Sequence, residues 1–418
     1  MINCFTYTIN RALTILITMK ILTINTTPYG SVARIAIETA ELAEKKGFEN
    51  RLAFGYSTHP LESKYFVYQF NTFLFSVIDM LFRRLTGLMG VYSIYKTWRF
   101  IKKVEAYDPD IIHLHNLHGC INIGIVMNYI KKHNKPVVWT FHDCWSFTGH
   151  CVHFDYIKCD KWKKQCYKCP LYREFPQVYV DNSRQMYKLK KKWFGGLSNV
   201  TLVSPSYWMA SKIKESFLSG YPLKVIHNGI NLEIFNIHES DFRSRYQLEN
   251  KFIILGVAFG WGHKKGLDAF VELSKRLSND YKIVLVGTNE VSDKLLPQQI
   301  LSIHTTQNQQ ELSDIYCAAD LFVNLTREDT FPTVNIEAIA CGTPIVTFNT
   351  GGSPEIINET CGFVVEQDNI DELVDRIKFT RIHRPFTKEA CRARAMDFDK
   401  NNKFIEYIEL YKSIVNIS

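Results

Sequence analysis

The N-terminal apolar run of this 418-residue chain, residues 12–18, is too brief to cross a bilayer, which takes roughly 20 residues as a helix. The sequence also lacks internal repeats and low-complexity stretches, which excludes solenoids and linker-dominated arrays. No G-x-G-x-x-G fingerprint follows the first strand pattern, and that argues against nicotinamide dinucleotide chemistry. Acidic residues are outnumbered, with 42 Asp and Glu against 50 Lys and Arg. A basic partner is therefore disfavoured, while a nucleotide diphosphate, a membrane surface or nucleic acid all suit the net charge of +8. With 46% hydrophobic residues, the chain has the composition and length for two globular domains of about 150 to 200 residues each. Its eleven cysteines are spread through a large chain, and their crowding between Cys144 and Cys169 favours a reducing compartment and a local role.

The first clear strand pattern begins at Met19, where Met-Lys-Ile-Leu-Thr-Ile-Asn reads as the buried opening strand of a parallel sheet. Residues 1–18 are taken as an extension, from a wrongly chosen start or poorly ordered, rather than a cleaved signal. A turn at Pro28 to Ser31 leads into a helix over 35–46, closed by Gly47, then a strand at 51–55. Strands are expected at 110–114, 136–141 and 200–203, with helices between them. A strand then runs into the Asn228-Gly229 turn, and the linker between domains is placed there. The alternation resumes with strands at 253–256, 282–287, 321–325 and 344–348 and a helix at 267–277. Residues 390–417 read as one long helix returning to the first domain. The expected division is 19–225 with a Cys-rich insertion at 144–170, then 226–395, then a terminal helix at 396–418. Two tandem parallel α/β domains place the ligand at the carboxyl ends of their strands, across a cleft.

The most informative stretch is Glu328-Asp329-Thr330-Phe331-Pro332-Thr333-Val334-Asn335-Ile336-Glu337, followed by Gly342-Thr343-Pro344. A strand ends, a loop carries carboxylates, and a helix starts near Thr333 with its free N–H groups and positive end suited to a diphosphate. Read without further context, Asp329 could simply cap that helix and Glu337 decorate its solvent face. The stretch resembles the E-x7-E signature of retaining family 4 glycosyltransferases of the GT-B fold, in a variant with aspartate at the first position. The resemblance covers nearly all of the chain from Met19. It implies two Rossmann-like parallel-sheet domains facing across a cleft. It also implies that Asp329, with the Phe331 and Thr333 amides and neighbouring Val334, holds donor sugar and phosphate, while Glu337 binds the nucleotide ribose. Glu328 is the alternative for the first role, one residue of register away.

Three further elements fit the resemblance. His263-Lys264-Lys265-Gly266 is similar to the family's lysine-glycine element, which gives Lys265 the charge building on the leaving diphosphate. Gly260 stands where the family usually has an arginine, so Lys264 or His263 is expected to complete the clamp. His142, closing the strand at 136–141, matches a family histidine that reaches the donor sugar. Gly30, after the first strand, would let backbone approach phosphate or acceptor, although Ser31 replaces the family's second glycine. The His113, His115 and His118 series is assigned to packing or cleft lining rather than metal.

Cys151, Cys159, Cys166 and Cys169 form C-x7-C-x6-C-x2-C, whose final pair has a spacing suited to one tetrahedral ion. A structural zinc, disulfides and unpaired buried thiols all remain open. Residues 70–107 mix Phe, Leu, Ile and Met with six basic side chains, a pattern shared by helices on anionic membrane surfaces and by core helices with basic outer faces.

The resemblance thus implies a hexosyltransferase-type enzyme of bacterial capsule, exopolysaccharide, lipopolysaccharide or colanic-acid type. It would move sugar from a nucleotide-diphosphate donor to a glycan or polyprenyl-diphosphate-linked saccharide, with no cofactor required for catalysis. A cytoplasmic location, peripheral at the inner face of the plasma membrane, goes with it, and nucleic acid is not expected as a partner. The competing readings are a sugar-nucleotide epimerase of the same fold and a zinc-stapled protein binding nucleic acid or phosphoinositide.

Overall fold

Strand β1 (Lys20–Ile24) has four consecutive buried residues, which is what a run without polar alternation produces when helices cover both faces of a sheet. In the computed structural model, which describes residues 19–56 and 67–415, it pairs in parallel with β2 (Glu49–Phe54) and β4 (Ile111–Leu114), Ile21 facing Asn50 on one side and Ile111 on the other. The extension at 1–18 lies outside the described residues. With β3 (Val67–Gln69), β5 (Val137–Thr140), β6 (Val200–Ser204) and β7 (Leu223–Val225), these strands form a seven-stranded sheet in the order β3-β2-β1-β4-β5-β6-β7.

The second sheet repeats the plan. It uses β8 (Phe252–Val257), β9 (Tyr281–Val286), β10 (Ile300–Ile303), β11 (Leu321–Asn324), β12 (Ile345–Phe348) and β13 (Gly362–Val365), ordered β10-β9-β8-β11-β12-β13. All of its pairings are parallel. Two apolar clusters cover it, one containing Ile253, Leu255, Phe322 and Ile336, the other Ile254, Phe270, Leu321 and Val346. Alternate residues of β8 and β11 thus feed opposite faces, each fully buried Leu, Ile or Phe contributing about 1.5–3 kcal/mol of burial. Strand order reverses between β8 and β11, so the loops after these two strands border the crevice where open α/β sheets bind ligands.

The chain divides into two compact units. Of the described residues, the first takes those within Met1–Thr140, Gly196–Thr201 and Tyr407–Ser418, and the second those within Phe141–Gly195 and Leu202–Glu406. The Cys-rich segment 144–170 groups with the second unit. In the first unit, the Nε2 of His113 meets the Thr140 hydroxyl at 2.8 Å and its Nδ1 meets the Tyr411 hydroxyl at 2.7 Å. That histidine is a packing residue tied to the last helix.

Several expected elements differ in extent. The first helix runs Gly30–Lys45, starting in the turn rather than after it, because Gly30 at φ +85° absorbs the change of direction. β3, of three residues, is too short to stand out in the sequence, and β10 and β13 carry Ser302 and Gly362 in runs of four. The C-terminal helical pattern is not continuous. It breaks into Lys388–Ala395, a single tight turn at Met396–Phe398 and Lys400–Ile414. Asp399 between them is extended and pairs with Ile230, whose N–H donates to Phe398 O at 3.0 Å and whose carbonyl accepts from the Lys400 N–H at 3.0 Å.

That crossing point depends on Gly229. A β-carbon there would lie 2.5 Å from the Lys400 Cα, a backbone atom that cannot swing aside. Gly229→Ala should destabilise the protein by about 1–3 kcal/mol, the cost of overpacking, measured by denaturant unfolding. Gly220→Ala, where an added carbon meets nothing within 4 Å, should stay within about 0.5 kcal/mol.

Candidate active site

The loop after β11 is gripped from several directions within the second unit. The Arg327 N–H donates to Lys264 O at 2.9 Å, the Thr350 hydroxyl to Thr326 O at 2.6 Å, and the Gly352 N–H to Asp329 O at 3.0 Å. A β-carbon on Gly351, at φ +56°, would sit 1.8 Å from Asp329 O, so only glycine fits beneath the acidic loop. The Thr330 hydroxyl donates to His142 O at 3.0 Å, which seats His142 against the same loop.

Asp329 turns toward the loop after β8. Its Oδ2 accepts from Lys265 Nζ at 2.7 Å, and its Oδ1 accepts from the Phe331 N–H at 3.3 Å. Burial would raise the Asp329 pKa, but the Lys265 charge and hydrogen bond outweigh it and hold the carboxyl below the usual range. Lys265 is itself held in place by backbone. Gly266, at φ +76°, ends the tight turn His263–Lys265, and a β-carbon on it would meet Leu325 O at 2.3 Å. Lys264 lies beside Lys265, and burial, reinforced by that neighbouring charge, lowers its pKa. This loop borders a cavity of about 310 Å³ lined by Gly260 to Lys265 together with Tyr156 and Glu174.

The helix Thr333–Ala340 starts with Pro332 at its cap and no side-chain acceptor on its first turn. Its opening amides, at Thr333 and Val334, are thus left uncapped by any side chain. Glu337 is buried and accepts from the Tyr316 hydroxyl at 3.2 Å, so it does not decorate a solvent face. The Phe331 ring is also buried, stacked on His227 with centroids 4.8 Å apart. Its contribution to the loop is therefore through backbone. Gly30 belongs to the first unit and opens the helix Gly30–Lys45 with no side-chain cap.

Glu328 departs from the expected donor role. Its side chain is fully buried, and its two oxygens accept from the N–H groups of Phe154, Asp155 and Tyr156 at 3.0, 2.7 and 3.2 Å. This carboxylate anchors the Cys-rich insertion, three amides satisfying a charge that would otherwise be costly to bury. Within that insertion the thiols of Cys151 and Cys169 are hydrogen-bonded, which pushes Cys151 up and Cys169 down. Cys166 Sγ accepts from the Gly149 N–H at 3.1 Å, and the half-buried Cys159 gives its carbonyl to the Trp162 indole N–H at 2.8 Å. Among the described residues no three His, Cys, Asp or Glu side chains are grouped to hold a metal ion.

Some participants escaped the sequence reading. Tyr156 and Glu174, joined by a 2.6 Å hydrogen bond, face the lysine loop, but nothing local in the insertion announces that placement. Lys190, within a run of basic residues, is buried with its Nζ 3.4 Å from the Trp145 ring centroid, donating to Trp145 O and Thr148 O. Burial lowers its pKa to about 7. Gly351 and Gly352 were also passed over, and the signal that could have found them is a pair of adjacent glycines following a strand. Arg327 packs against His263, yet it is neutralised by Asp268 at 2.8 Å and Asp368 at 2.7 Å.

His142 is buried, and desolvation, opposed by Asp143, lowers its pKa to about 4. The folded imidazole is therefore neutral at pH 7, while the unfolded one takes a proton near pH 6.5. Stability should fall as pH drops from about 6.5 to 4, by about 1.4 kcal/mol per unit for this group. Denaturant unfolding of His142→Gln across that window should show a shallower pH dependence than the parent protein.

Comparisons with known proteins bear on the family and the fold. A family model described as Glycosyltransferase Family 4 matches residues 32–234, and one described as Glycosyl transferases group 1 matches 249–380. The putative colanic acid biosynthesis glycosyl transferase WcaC of Escherichia coli (strain K12) is 23% identical over 84% of this chain and 87% of its own length. N,N'-diacetylbacillosaminyl-diphospho-undecaprenol alpha-1,3-N-acetylgalactosaminyltransferase of Campylobacter jejuni is 24% identical over 62% of this chain and 74% of its own length. Among solved structures, sucrose-phosphate synthase from Thermosynechococcus elongatus superposes with a TM-score of 0.71 at 15% identity, covering 96% of this chain and all of that one. Anabaena Alr3699/HepE in complex with UDP-glucose gives 0.68 at 15%, covering 94% and all of that chain. The architecture is GT-B, and with its two halves matched by these two models the chain belongs to the family 4, group 1 glycosyltransferases.

Proposed function

We propose that this glycosyltransferase moves a hexose, with retention of anomeric configuration, from a nucleoside-diphosphate sugar to a glycan or polyprenyl-diphosphate-linked saccharide during cell-surface polysaccharide assembly. The observation that carries this reading is the Lys265–Asp329 pair, 2.7 Å apart and about a quarter exposed. It lies where a cavity-lining loop meets the loop leading into an uncapped helix. A lysine paired with a carboxylate, on loops followed by a helix with uncapped opening amides, can hold a diphosphate by its charge and a sugar by its hydroxyls.

In this reading the bond between the anomeric carbon and the diphosphate oxygen breaks as the acceptor oxygen bonds to that carbon from the same face. The acceptor proton passes to the departing phosphate. Lys265 and the amides opening Thr333–Ala340 meet the negative charge that grows on the leaving oxygen, so they act more strongly in the transition state than on the bound donor. Asp329 and His142 hold the donor sugar, and Glu337 takes the ribose. Because Lys265 and the helix end supply the positive charge, the step calls for no cofactor.

The acceptor and donor classes are each supported by one relative. The Campylobacter protein is named for an undecaprenol-diphosphate-linked substrate, and the Anabaena structure carries UDP-glucose. No helix among the described residues is long and apolar enough to cross a membrane. In this reading the lipid-linked acceptor is met from a peripheral position at the cytoplasmic face.

Purified protein incubated with UDP-, GDP- and ADP-sugars, with and without lipid-diphosphate saccharides, should release nucleoside diphosphate for one donor, with transfer to product. Glu337→Ala, still folded by circular dichroism, should abolish that release. Absence of both binding and turnover for every donor would overturn the reading.

A further inference from the structure

Two cysteines of the second unit meet away from the lysine loop. Cys317 lies in the last turn of the helix Gln309–Ala318, and Cys341 caps the end of Thr333–Ala340. They are 24 residues apart in sequence, yet the Cys317 sulfur is 3.8 Å from the Cys341 carbonyl oxygen, and the two thiols are hydrogen-bonded. Cys341 is fully buried and Cys317 is 8% exposed. A thiol buried among apolar groups is ordinarily inert, but the surroundings of Cys317 are polar.

His238 stands against it. Its Nδ1 is 3.4 Å from the Cys317 sulfur and 2.9 Å from Asn236 O, and its Nε2 is 2.7 Å from Asp314 Oδ1. A carbonyl and a carboxylate can only accept, so the geometry favours a hydrogen on both ring nitrogens. Burial opposes that charge, but the Asp314 hydrogen bond and the nearby sulfur outweigh it and raise the His238 pKa. The order carboxylate, imidazolium, sulfur is one that stabilises a thiolate. Hydrogen bonding with Cys341, opposed by burial and aided by His238 and Lys388, brings the Cys317 thiol down to about 6. Burial and the same contact push Cys341 up, with Glu337 the acid facing it. When Cys317 is protonated, Asn236 O at 3.2 Å accepts its hydrogen.

We propose that Cys317 and Cys341 form a site of reversible oxidation, at which a small hydroperoxide oxidises Cys317 and Cys341 resolves the product as a disulfide. The Cys317 sulfur attacks one peroxide oxygen, so an S–O bond forms as the O–O bond breaks. The departing oxygen takes a proton from the His238 imidazolium and leaves as water or an alcohol. The Cys341 sulfur then attacks the Cys317 sulfenic acid, so the S–S bond forms, the S–O bond breaks, and the Cys341 proton leaves with the hydroxide as water. The peroxide is reduced and two thiols are oxidised. The small opening at Cys317 suits a reagent the size of hydrogen peroxide, not a peptide or a lipid. The same groups do not form a metal site among the described residues. The new bond would join the end of the helix that carries Glu337 to the helix that carries Tyr316, its hydrogen-bond partner.

The full reduced chain, without any sugar nucleotide, would be treated with hydrogen peroxide, its remaining thiols blocked with N-ethylmaleimide, and its cysteines mapped by mass spectrometry of peptides. The first bond formed should join Cys317 to Cys341 and be reversed by dithiothreitol. In Cys341→Ser the reaction should stop at a Cys317 sulfenic acid that dimedone captures. His238→Gln should slow the loss of the Cys317 thiol about tenfold at pH 6, a gap that closes toward pH 9 as an ordinary thiol ionises. A packing role for His238 would not produce that pH profile. The proposal fails if peroxide leaves Cys317 reduced, if the first disulfide joins Cys151 to Cys169, or if His238→Gln reacts at the parent rate at pH 6. Mapping of the parent chain needs no variant and decides the pairing by itself. Because no donor or acceptor is present, the result stands apart from the glycosyl-transfer experiment.

Discussion

The arrangement of chemical groups in the second unit depends on one stretch of backbone, the loop that leaves β11 at Leu325 and enters the helix at Thr333. Leu325 O sits where Gly266 has no side chain, Thr326 O accepts from Thr350, and Asp329 O rests against Gly351 and Gly352. Side chains leave this loop in alternating directions. Glu328 reaches into the insertion, Asp329 to Lys265, and Thr330 to His142 O. A displacement of the loop would therefore move a carboxylate, a lysine and a histidine together. That is the property a site needs if its groups are to meet developing charge without reorganising.

Charge is apportioned with some economy around the same loop. Arg327 is the cation closest in sequence to the acidic pair, yet Asp268 and Asp368 both bind it, so its charge is used to join the β8 and β11 loops to the segment after β13. Lys265 has Asp329 as its partner, with both side chains reachable from solvent. In the proposed reading the diphosphate shares that lysine. Glu328, by contrast, spends its charge on three backbone amides of the insertion, and so helps hold Tyr156 and Glu174 along the cavity.

The sheets were legible because buried parallel strands such as Phe252–Val257 and Ile345–Phe348 are largely apolar runs, and because a strand, a loop and a helix follow one another around Asp329. Family resemblance supplied roles that periodicity cannot. What stayed hidden depends on contacts distant in sequence. Asp399 interrupts the last helical pattern where Ile230 pairs with it. Glu328 and Asp329 are adjacent acids in the sequence, and which one faces the lysine is set by the insertion's amides, 172 to 174 residues away. The apolar content of residues 73–86 suggested either a core or a surface helix, and its direction is fixed by the burial of Asp79 with Arg83.

The claim that Lys265 acts on the leaving diphosphate is tested most directly by steady-state kinetics of Lys265→Ala with the donor the parent protein uses. The account predicts a fall in kcat of about 10²- to 10³-fold, the scale for losing one preorganised charge-stabilising group, with a smaller change in KM. An unchanged kcat in a folded variant would contradict it and leave the Lys265–Asp329 pair as a structural tie.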